Sequence, residues 1–512
     1  MKSILLKRNN LILAGFVFVK FILQYLLISP AYDLQRDEYL HLDQANHPAW
    51  GYISVPPVTS WISYIIKLLG NDVFWVKFFP ALFGAMTIVV VWKTIEELKG
   101  KTFALVLAAT ALLLSVLLRI NILYQPNSFD IFFWTLVYYF IIKYINSEKS
   151  RWLYATGIAV AFGFLSKYNI AFLILGLLPA ILLTKHRTTF FNKNLYFSAL
   201  ITFFIILPNL LWQVENHFPT IRQLQELADT QLVHVNRFDF LKDQLLFFIS
   251  SLFVILAAFI ALIFYKPFRK YQLFLWSYIF TIILFIFFKA KSYYAIGLYP
   301  ILIAFGAVYL EEIFKSGWKK YLRPISIVLI LIQSIPIFLF AMPIQGPEQI
   351  QKSLPRYKSI GLLRWEDGKD HNMPQDFADM LGWSELAKKV DDTYRKITDK
   401  ENTLVYCDNY GQAGAINYYS TFKNIHAISY NADYINWIPL DKPIKNVILI
   451  KDVYDRDPLR QKEKPLFDST SIVGKIENPY ARELGTTIYL LKGAKTNINR
   501  IIAKEVVERK NH

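Results

Sequence analysis

Charge is scarce in this 512-residue chain: 19% of residues are charged, against roughly 25% in an average soluble protein. The shortfall excludes a disordered polyelectrolyte and argues against an ordinary soluble enzyme. Cysteine is nearly absent, and the single Cys407 cannot form an intrachain disulfide, so the redox compartment cannot be read from it. Neither GxxxxGK[ST] nor GxGxxG occurs, which removes the usual phosphate-cradling nucleotide loops and favours an energy source other than ATP. There is no tandem repeat and no low-complexity tract. Apolar residues fill the chain instead, with 54% hydrophobic, 16% aromatic and a mean hydropathy of +0.31.

The net charge of +17 would suit a nucleic-acid partner, but its location argues otherwise. Residues 1–342 carry 30 basic and 16 acidic residues, whereas 343–512 carry 26 and 23. The excess lies between apolar runs, where it sets membrane orientation rather than binding a phosphate backbone. After about residue 343 no apolar stretch approaches the ~20 residues a membrane helix needs. Before it, about eleven candidate spans follow one another, near 11–29, 74–92, 102–118, 129–146, 152–166, 168–184, 195–212, 243–264, 271–288, 293–310 and 324–342. The first follows Lys2, Lys7 and Arg8 as a signal peptide would, but its long run lacks a small-residue cleavage site and reads as a retained anchor.

The expected fold is therefore mainly α. A polytopic membrane domain with about 11 transmembrane helices covers 1–342, and a small soluble α/β domain covers 343–512. Within the latter, Thr403–Cys407, Asn446–Ile450 and Thr486–Leu491 read as strands by their β-branched and aromatic content, Gly411–Tyr419 as a helix, and Pro343–Pro355 as a linker. If the N-terminus is cytoplasmic, the inner connectors hold 19 of the 30 basic residues of the membrane half, and 11 of its 16 acids fall outside. Positive-inside bias then sets the orientation, and an odd number of spans places the tail domain outside.

The first outer loop, about 30–57, concentrates Asp33, Asp37, Glu38 and Asp43. Asp37 and Glu38 follow the first span closely. A carboxylate beside apolar surface can serve as a general base; the alternative is a solvated loop with a helix-capping acid. The two side chains point to different sides of a helix and cannot share one role. His41 and His47 with Asp43 have no specific metal-ligand spacing. Asp130 begins the fourth span, as a functional membrane-edge acid or, with Asn127 and Ser128, as a helix cap. Arg119, Lys167, Lys289 and Lys291 sit at outer span ends, against the orientation rule. Lys289-Ala-Lys-Ser-Tyr293-Tyr294 places two ammonium groups and two phenols beside a span, a cluster able to hold a phosphate head group, or else to snorkel to lipid phosphates. His217, near the end of the seventh span, is a candidate acceptor contact or a loop hydrogen-bonding residue.

Taken together, these residues resemble the polyprenyl-phosphate-dependent glycosyltransferases of the GT-C fold, in the bacterial group of aminoarabinose, mannosyl and galacturonosyl transferases. The markers are Asp37-Glu38, Gly51-Tyr52 and Pro56-Pro57, Pro126–Asp130, Gly163–Tyr168, Leu207–Gln213, Lys291–Tyr294 with Pro300, and Tyr410–Ala413 with Tyr418-Tyr419. The resemblance covers the whole membrane half. It implies a sugar donor linked to polyprenyl phosphate, an envelope lipid, glycan or protein acceptor, membrane lipid as surroundings, and no nucleic acid. It places the chain in the cytoplasmic (inner) membrane as an enzyme of cell envelope biogenesis.

Residue by residue, the family's loop carboxylate falls on Asp37 with Glu38 as neighbour, and Asp130 matches the acid of the fourth span. Lys291 and Tyr293 match the phosphate-proximal motif, with the intervening Ser292 leaving open whether Lys289 or Lys291 is the main contact. Arg119 and Lys167 join the phosphate set; Tyr52, Asn127 and His217 fall to sugar or acceptor. No clear ligand set for a metal is present, so no cofactor is expected. The chemistry implied is direct displacement with inversion, Asp37 acting as base. A lipid-linked sugar transporter or flippase, and a lipid-diphosphate-dependent polymerase or ligase, are the rival functions. The first would want ionisable groups near mid-membrane, where only Lys20 lies.

Overall fold

The computed structural model describes the backbone of residues 2–511 and the side chains of 7–510; Lys2, counted above among the inner basic residues, has its side chain outside that range. The chain divides into two compact units. One comprises Met1–Ser29, Val55–Ile62 and Asn71–Gln345, and the other Pro30–Ser54, Ser63–Gly70 and Gly346–His512.

The first unit is helical throughout. Among the described residues, seven helices are long and apolar enough to cross a membrane: Lys7–Leu26, Val73–Glu97, Asn127–Ser147, Lys193–Glu215, Lys266–Phe287, Ser292–Ile313 and Gly317–Phe340. Two bent pairs raise the number to nine if each is one span: Ile170–Leu182 with Lys185–Phe191, bent by 108°, and Arg237–Leu246 with Ile249–Phe264, bent by 58°. The chain is a multi-pass membrane protein. The other two of the expected segments form shorter helices, Thr102–Leu113 of 12 residues and Arg151–Ser166 of 16 residues.

Local chemistry explains where these two helices stop. The Ser115 hydroxyl donates to the Leu112 carbonyl at 2.8 Å and accepts from the Leu117 amide at 3.3 Å, turning the chain out of the first. Lys167 adopts an extended backbone (φ −161°, ψ 131°) and ends the second. Close packing depends on small residues at contacts. At Gly306 a Cβ would fall on the Val254 carbonyl, so only glycine lets helix Tyr299–Ile313 lie against Leu252–Phe264. Lys20, deep in the first span, is buried, and its ammonium donates to Asn121 Oδ1 at 2.9 Å.

The second unit is built on a five-stranded mixed sheet. The strands are β1 Thr403–Cys407, β2 Ala427–Ser429, β3 Asn446–Lys451, β4 Phe467–Lys475 and β5 Thr487–Ala494, in the order β2-β1-β3-β5-β4. β1 runs parallel to β2 and β3, while β5 is antiparallel to β3 and β4. Period-two alternation sends neighbouring residues to opposite faces. Val405, Ile448, Ile450 and Ile488 pack with Leu386, Val390 and Ile416 of helices Trp383–Arg395 and Tyr410–Tyr419. Leu404, Leu449 and Leu491 pack with Ile498 and Ile502 of helix Ile498–Asn511 on the other face. Leu40, from the acidic loop near 30–57, belongs to the first of these cores. β2 and β4 were not among the expected strands. β2 has three residues, and β4 reads Phe-Asp-Ser-Thr-Ser-Ile-Val-Gly-Lys, a mostly exposed edge strand broken by a register shift between Ile472 and Gly474.

Candidate active site

Each unit assembles one group of the candidate residues. In the spanning unit, Pro126 opens helix Pro126–Ser147 at its first position, where its missing N–H costs nothing. Asn127 and Asp130, three residues apart, then share a face. Lys167 leaves its own helix extended and donates to Asn127 Oδ1 at 2.7 Å. The same ammonium lies 4.2 Å from the centroid of the Tyr294 ring and 5.1 Å from that of Tyr293, whose planes stand at 87° to one another. A cation over two phenol faces is held by ring electrostatics without a neutralising carboxylate in contact. Asp130 and Lys291 are the charges that act on Lys167. Asn169 completes the group: its Nδ2 donates to Asp130 Oδ2 at 2.9 Å and to the Tyr294 carbonyl at 3.0 Å.

The structure thus gathers Asn127, Asp130, Lys167, Lys291 and Tyr293, and adds Asn169 and Tyr294. Next to Lys167, the Tyr168 hydroxyl is bonded to Asn209 at 3.2 Å and to Gln213 at 2.9 Å, so the Leu207–Gln213 segment buttresses the turn that carries the lysine. Arg119 is buried on the short helix Leu117–Ile120. Lys289 has a left-handed backbone (φ 51°), and among the described residues its side chain makes no hydrogen bond or ion pair. His217, also left-handed (φ 57°), is exposed on the turn before helix Pro219–Thr230.

In the second unit the acidic loop near 30–57 forms helix Arg36–Asp43, closed by a capping box. Gln35 Oε1 accepts from the Asp37 amide at 2.9 Å, and the buried Glu38 carboxylate accepts from the Gln35 amide at 2.7 Å. Such reciprocal caps satisfy the free amides of a first helical turn. Asp37 is half-buried, and its Oδ1 accepts a 2.6 Å hydrogen bond from the Tyr410 hydroxyl. The Arg36 guanidinium stacks 4.4 Å over the Tyr410 ring.

The remaining acids of the loop are tied into the same unit. Asp33 Oδ2 accepts from the Trp383 and Ser384 amides at 2.9 and 3.1 Å, at the start of helix Trp383–Arg395. Asp43 accepts from Asn46 at 2.7 Å and from Asn417 at 2.6 Å. The buried Asp433 receives Gln44 at 3.0 Å and the Ile53 amide at 2.7 Å, and burial pushes its carboxyl up to about 6. Tyr52 is buried, its hydroxyl donating to the His47 carbonyl at 2.9 Å and accepting from the Ala49 amide at 3.1 Å.

The two loop histidines take separate places. His41 is buried beside Gln44 and burial lowers its basicity, whereas His47 stacks on Trp437 with centroids 4.1 Å apart. Among the described residues, no three His, Cys, Asp or Glu side chains gather as for a metal ion.

Tyr410 and Asn169 were not named as site residues from the sequence, whereas Tyr294 was the second phenol of the Lys289–Tyr294 cluster. Tyr410 belongs to a motif that the resemblance had marked, and Asn169 follows Ser166-Lys167-Tyr168 at the break between two apolar runs.

Known proteins show the same architecture. Residues 54–212 match the family model described as dolichyl-phosphate-mannose-protein mannosyltransferase. The lipid A galacturonosyltransferase RgtD of Rhizobium johnstonii is 23% identical over 206 residues, a stretch covering 38% of this chain and 43% of that relative. The chain therefore spans less than half the length of that relative. Two crystal structures of ArnT from Cupriavidus metallidurans superpose over 93% of this chain and 97% of theirs. The undecaprenyl-phosphate complex does so at TM-score 0.61 and 14% identity, and the apo state at 0.62 and 15%. The oligosaccharyltransferase of Archaeoglobus fulgidus, tethered with an acceptor peptide, matches at TM-score 0.50 and 13% identity over 81% of this chain and 63% of its own. The chain has the GT-C fold of membrane glycosyltransferases, with residues 54–212 as the part that the mannosyltransferase model describes.

Proposed function

We propose that this protein is an integral-membrane glycosyltransferase that moves a sugar from a polyprenyl-phosphate carrier to an envelope acceptor. It works on the outer face of the cytoplasmic membrane, with its N-terminus inside and residues 343–512 outside. The observation that carries this reading is the Lys167 ammonium, presented by Asn127 and the Tyr293 and Tyr294 rings beside Lys291 at the ends of apolar helices. A cation so placed suits the phosphate of a carrier whose tail lies among the helices. The undecaprenyl phosphate bound to the ArnT structure and the lipid A named for RgtD support a lipid-phosphate donor and a lipid acceptor.

In the reaction, a lone pair on the acceptor oxygen or nitrogen attacks the anomeric carbon, and the bond from that carbon to the phosphate oxygen breaks with inversion. Asp37 takes the acceptor's proton, and polyprenyl phosphate leaves with the bonding electron pair. Lys167 and Lys291, with Arg119, Lys289 and Tyr293, stabilise the charge that develops on the departing oxygen, the kind of contribution that usually dominates such catalysis. Glu38 keeps the helix of Asp37 in shape through its capping box. Asp130, through Asn169, keeps the Tyr294 backbone in place beside Lys167. Tyr52, Asn127 and His217 belong to the sugar and acceptor side. Turnover needs no added metal, so EDTA leaves the rate unchanged.

The test uses the full chain in lipid vesicles with undecaprenyl-phosphate-linked mannose and galacturonate, radiolabelled in the sugar, and a bacterial envelope lipid extract as acceptor. Label leaving the carrier with release of undecaprenyl phosphate is the expected result. Label crossing the bilayer still attached to its carrier, or no donor consumed at all, would overturn the proposal.

A further inference from the structure

The side chain that holds Asp37 comes from far along the chain. Tyr410 is 373 positions away in sequence, and its hydroxyl donates to Asp37 Oδ1. We infer that Tyr410 is a positioning residue for Asp37, and that through it the Gly346–His512 part of the chain sets the orientation of the base. This inference rests on the assignment of Asp37 made above.

Three features give the contact the character of a mount rather than a chance touch. First, Tyr410 is itself immobilised. It opens helix Tyr410–Tyr419, whose cap Asn409 accepts from the Gln412 amide at 3.1 Å and donates to Glu483 at 3.2 Å, while Gln412 Nε2 donates to the same carboxylate at 2.6 Å. Second, its ring is covered by Arg36, the residue before Asp37, so the phenol is gripped on its face and bonded at its tip. Third, the two helices meet at glycines. A Cβ on Gly411 would stand 2.7 Å from Arg36 Cγ, and one on Gly414 would stand 2.7 Å from Tyr39 Cβ. The backbone of Tyr410–Tyr419 is therefore as near to Arg36–Asp43 as packing allows.

The charged and titratable groups around Asp37 are Arg36, Glu38 and His41 on its own helix, and Tyr410 and Asp379 from the elements packed against it. Asp379 is held by Arg482 at 3.0 Å, and its main-chain carbonyl accepts from the Arg36 amide at 3.0 Å. Tyr410 supplies a neutral donor directly to the carboxylate. Burial raises the phenol well above its ordinary range, so it stays a donor across physiological pH. A hydrogen bond to the ionised form favours that form. Removing it should therefore loosen the side chain and lower the rate of proton transfer to it.

The test compares wild type, Tyr410→Phe, Asp37→Asn and the double variant as full chains in vesicles, on whichever of the two radiolabelled donors the wild type consumes. Tyr410→Phe is expected to lower kcat roughly tenfold, as loss of a bond to a charged group implies, with KM for the donor little changed. In the Asp37→Asn background the same change has no further effect. A 3,5-difluorotyrosine at position 410 keeps both the ring and the hydrogen-bond donor, and it retains the kcat that Tyr410→Phe loses. This second variant also reads the interaction if the phenylalanine variant unfolds.

A purely structural role for Tyr410 would reduce the rate equally in both backgrounds, which would overturn the assignment. So would wild-type kcat in Tyr410→Phe. Wild-type turnover by Asp37→Asn is a separate outcome, and it would overturn the base itself.

Discussion

The Lys167 ammonium lies over the rings of both Tyr293 and Tyr294 and is bonded to Asn127. A cation poised this way is available to a phosphate. Lys167→Ala should raise the donor KM by about 10–100-fold, the scale of a lost charge-assisted bond, and leave the fold intact. Donor titration of the variant checks this. Asp433 offers a prediction about pH. Its carboxyl is pushed up to about 6 by burial, whereas an unfolded aspartate titrates near 3.9. The folded state binds this proton more tightly than the unfolded state does. The stability it contributes is thus complete below about pH 4 and is lost as pH rises through about 6, a difference on the order of 3 kcal/mol. The thermal midpoint of the purified chain should fall between about pH 4 and 6, and Asp433→Asn should flatten that slope.

At this scale the residues legible in the sequence were those whose chemistry is unusual for their position: acids after a span and lysines at span ends. Asn169 and Tyr410 were missed for the opposite reason. An asparagine between spans or a tyrosine at a helix start is unremarkable until the fold brings it 2.9 Å from Asp130 or 2.6 Å from Asp37.

Among the elements, helix Arg36–Asp43 and helix Tyr410–Tyr419 are coupled through glycine. Replacing Gly414 by valine would drive a side chain into Tyr39 Cβ and the Tyr434 hydroxyl, each 2.7 Å from the new Cβ. Overpacking of this kind costs about 1–3 kcal/mol, and it should lower both the thermal midpoint and turnover, measured in parallel on the purified variant. Strands β1, β3 and β5 were readable because they are central and carry Val, Ile and Leu on both faces. β4 was hidden because an edge strand with one solvated face carries Asp, Ser, Thr and Lys, which composition alone cannot tell from a loop. The span at 102–118 was counted from apolar length, but its helix stops at Leu113, where Ser115 turns the chain by local hydrogen bonding, whereas the helix at 152–166 runs to its expected end before the extended Lys167.

For the whole molecule, hydropathy marked where the apolar half ends, but it could not show which loop belongs with which core. Leu40 sits in the sheet's hydrophobic core, and Asp33, Asp43, Gln44 and Ile53 bond to residues between 383 and 433. The Pro30–Ser54 segment therefore depends on the C-terminal residues for its shape. A chain truncated after Gln345 should still enter the membrane, yet it should lose turnover and become cleavable by protease within 30–54. Limited proteolysis of vesicles checks this. The account as a whole stands on Asp37 accepting a proton during transfer from a lipid phosphate. Its most direct test is the rate at which undecaprenyl phosphate is released from labelled donor by wild type and by Asp37→Asn, at matched amounts of folded protein. The account predicts a loss of about 10²–10⁴-fold in the variant, with donor binding retained. Equal rates for the two proteins would contradict it.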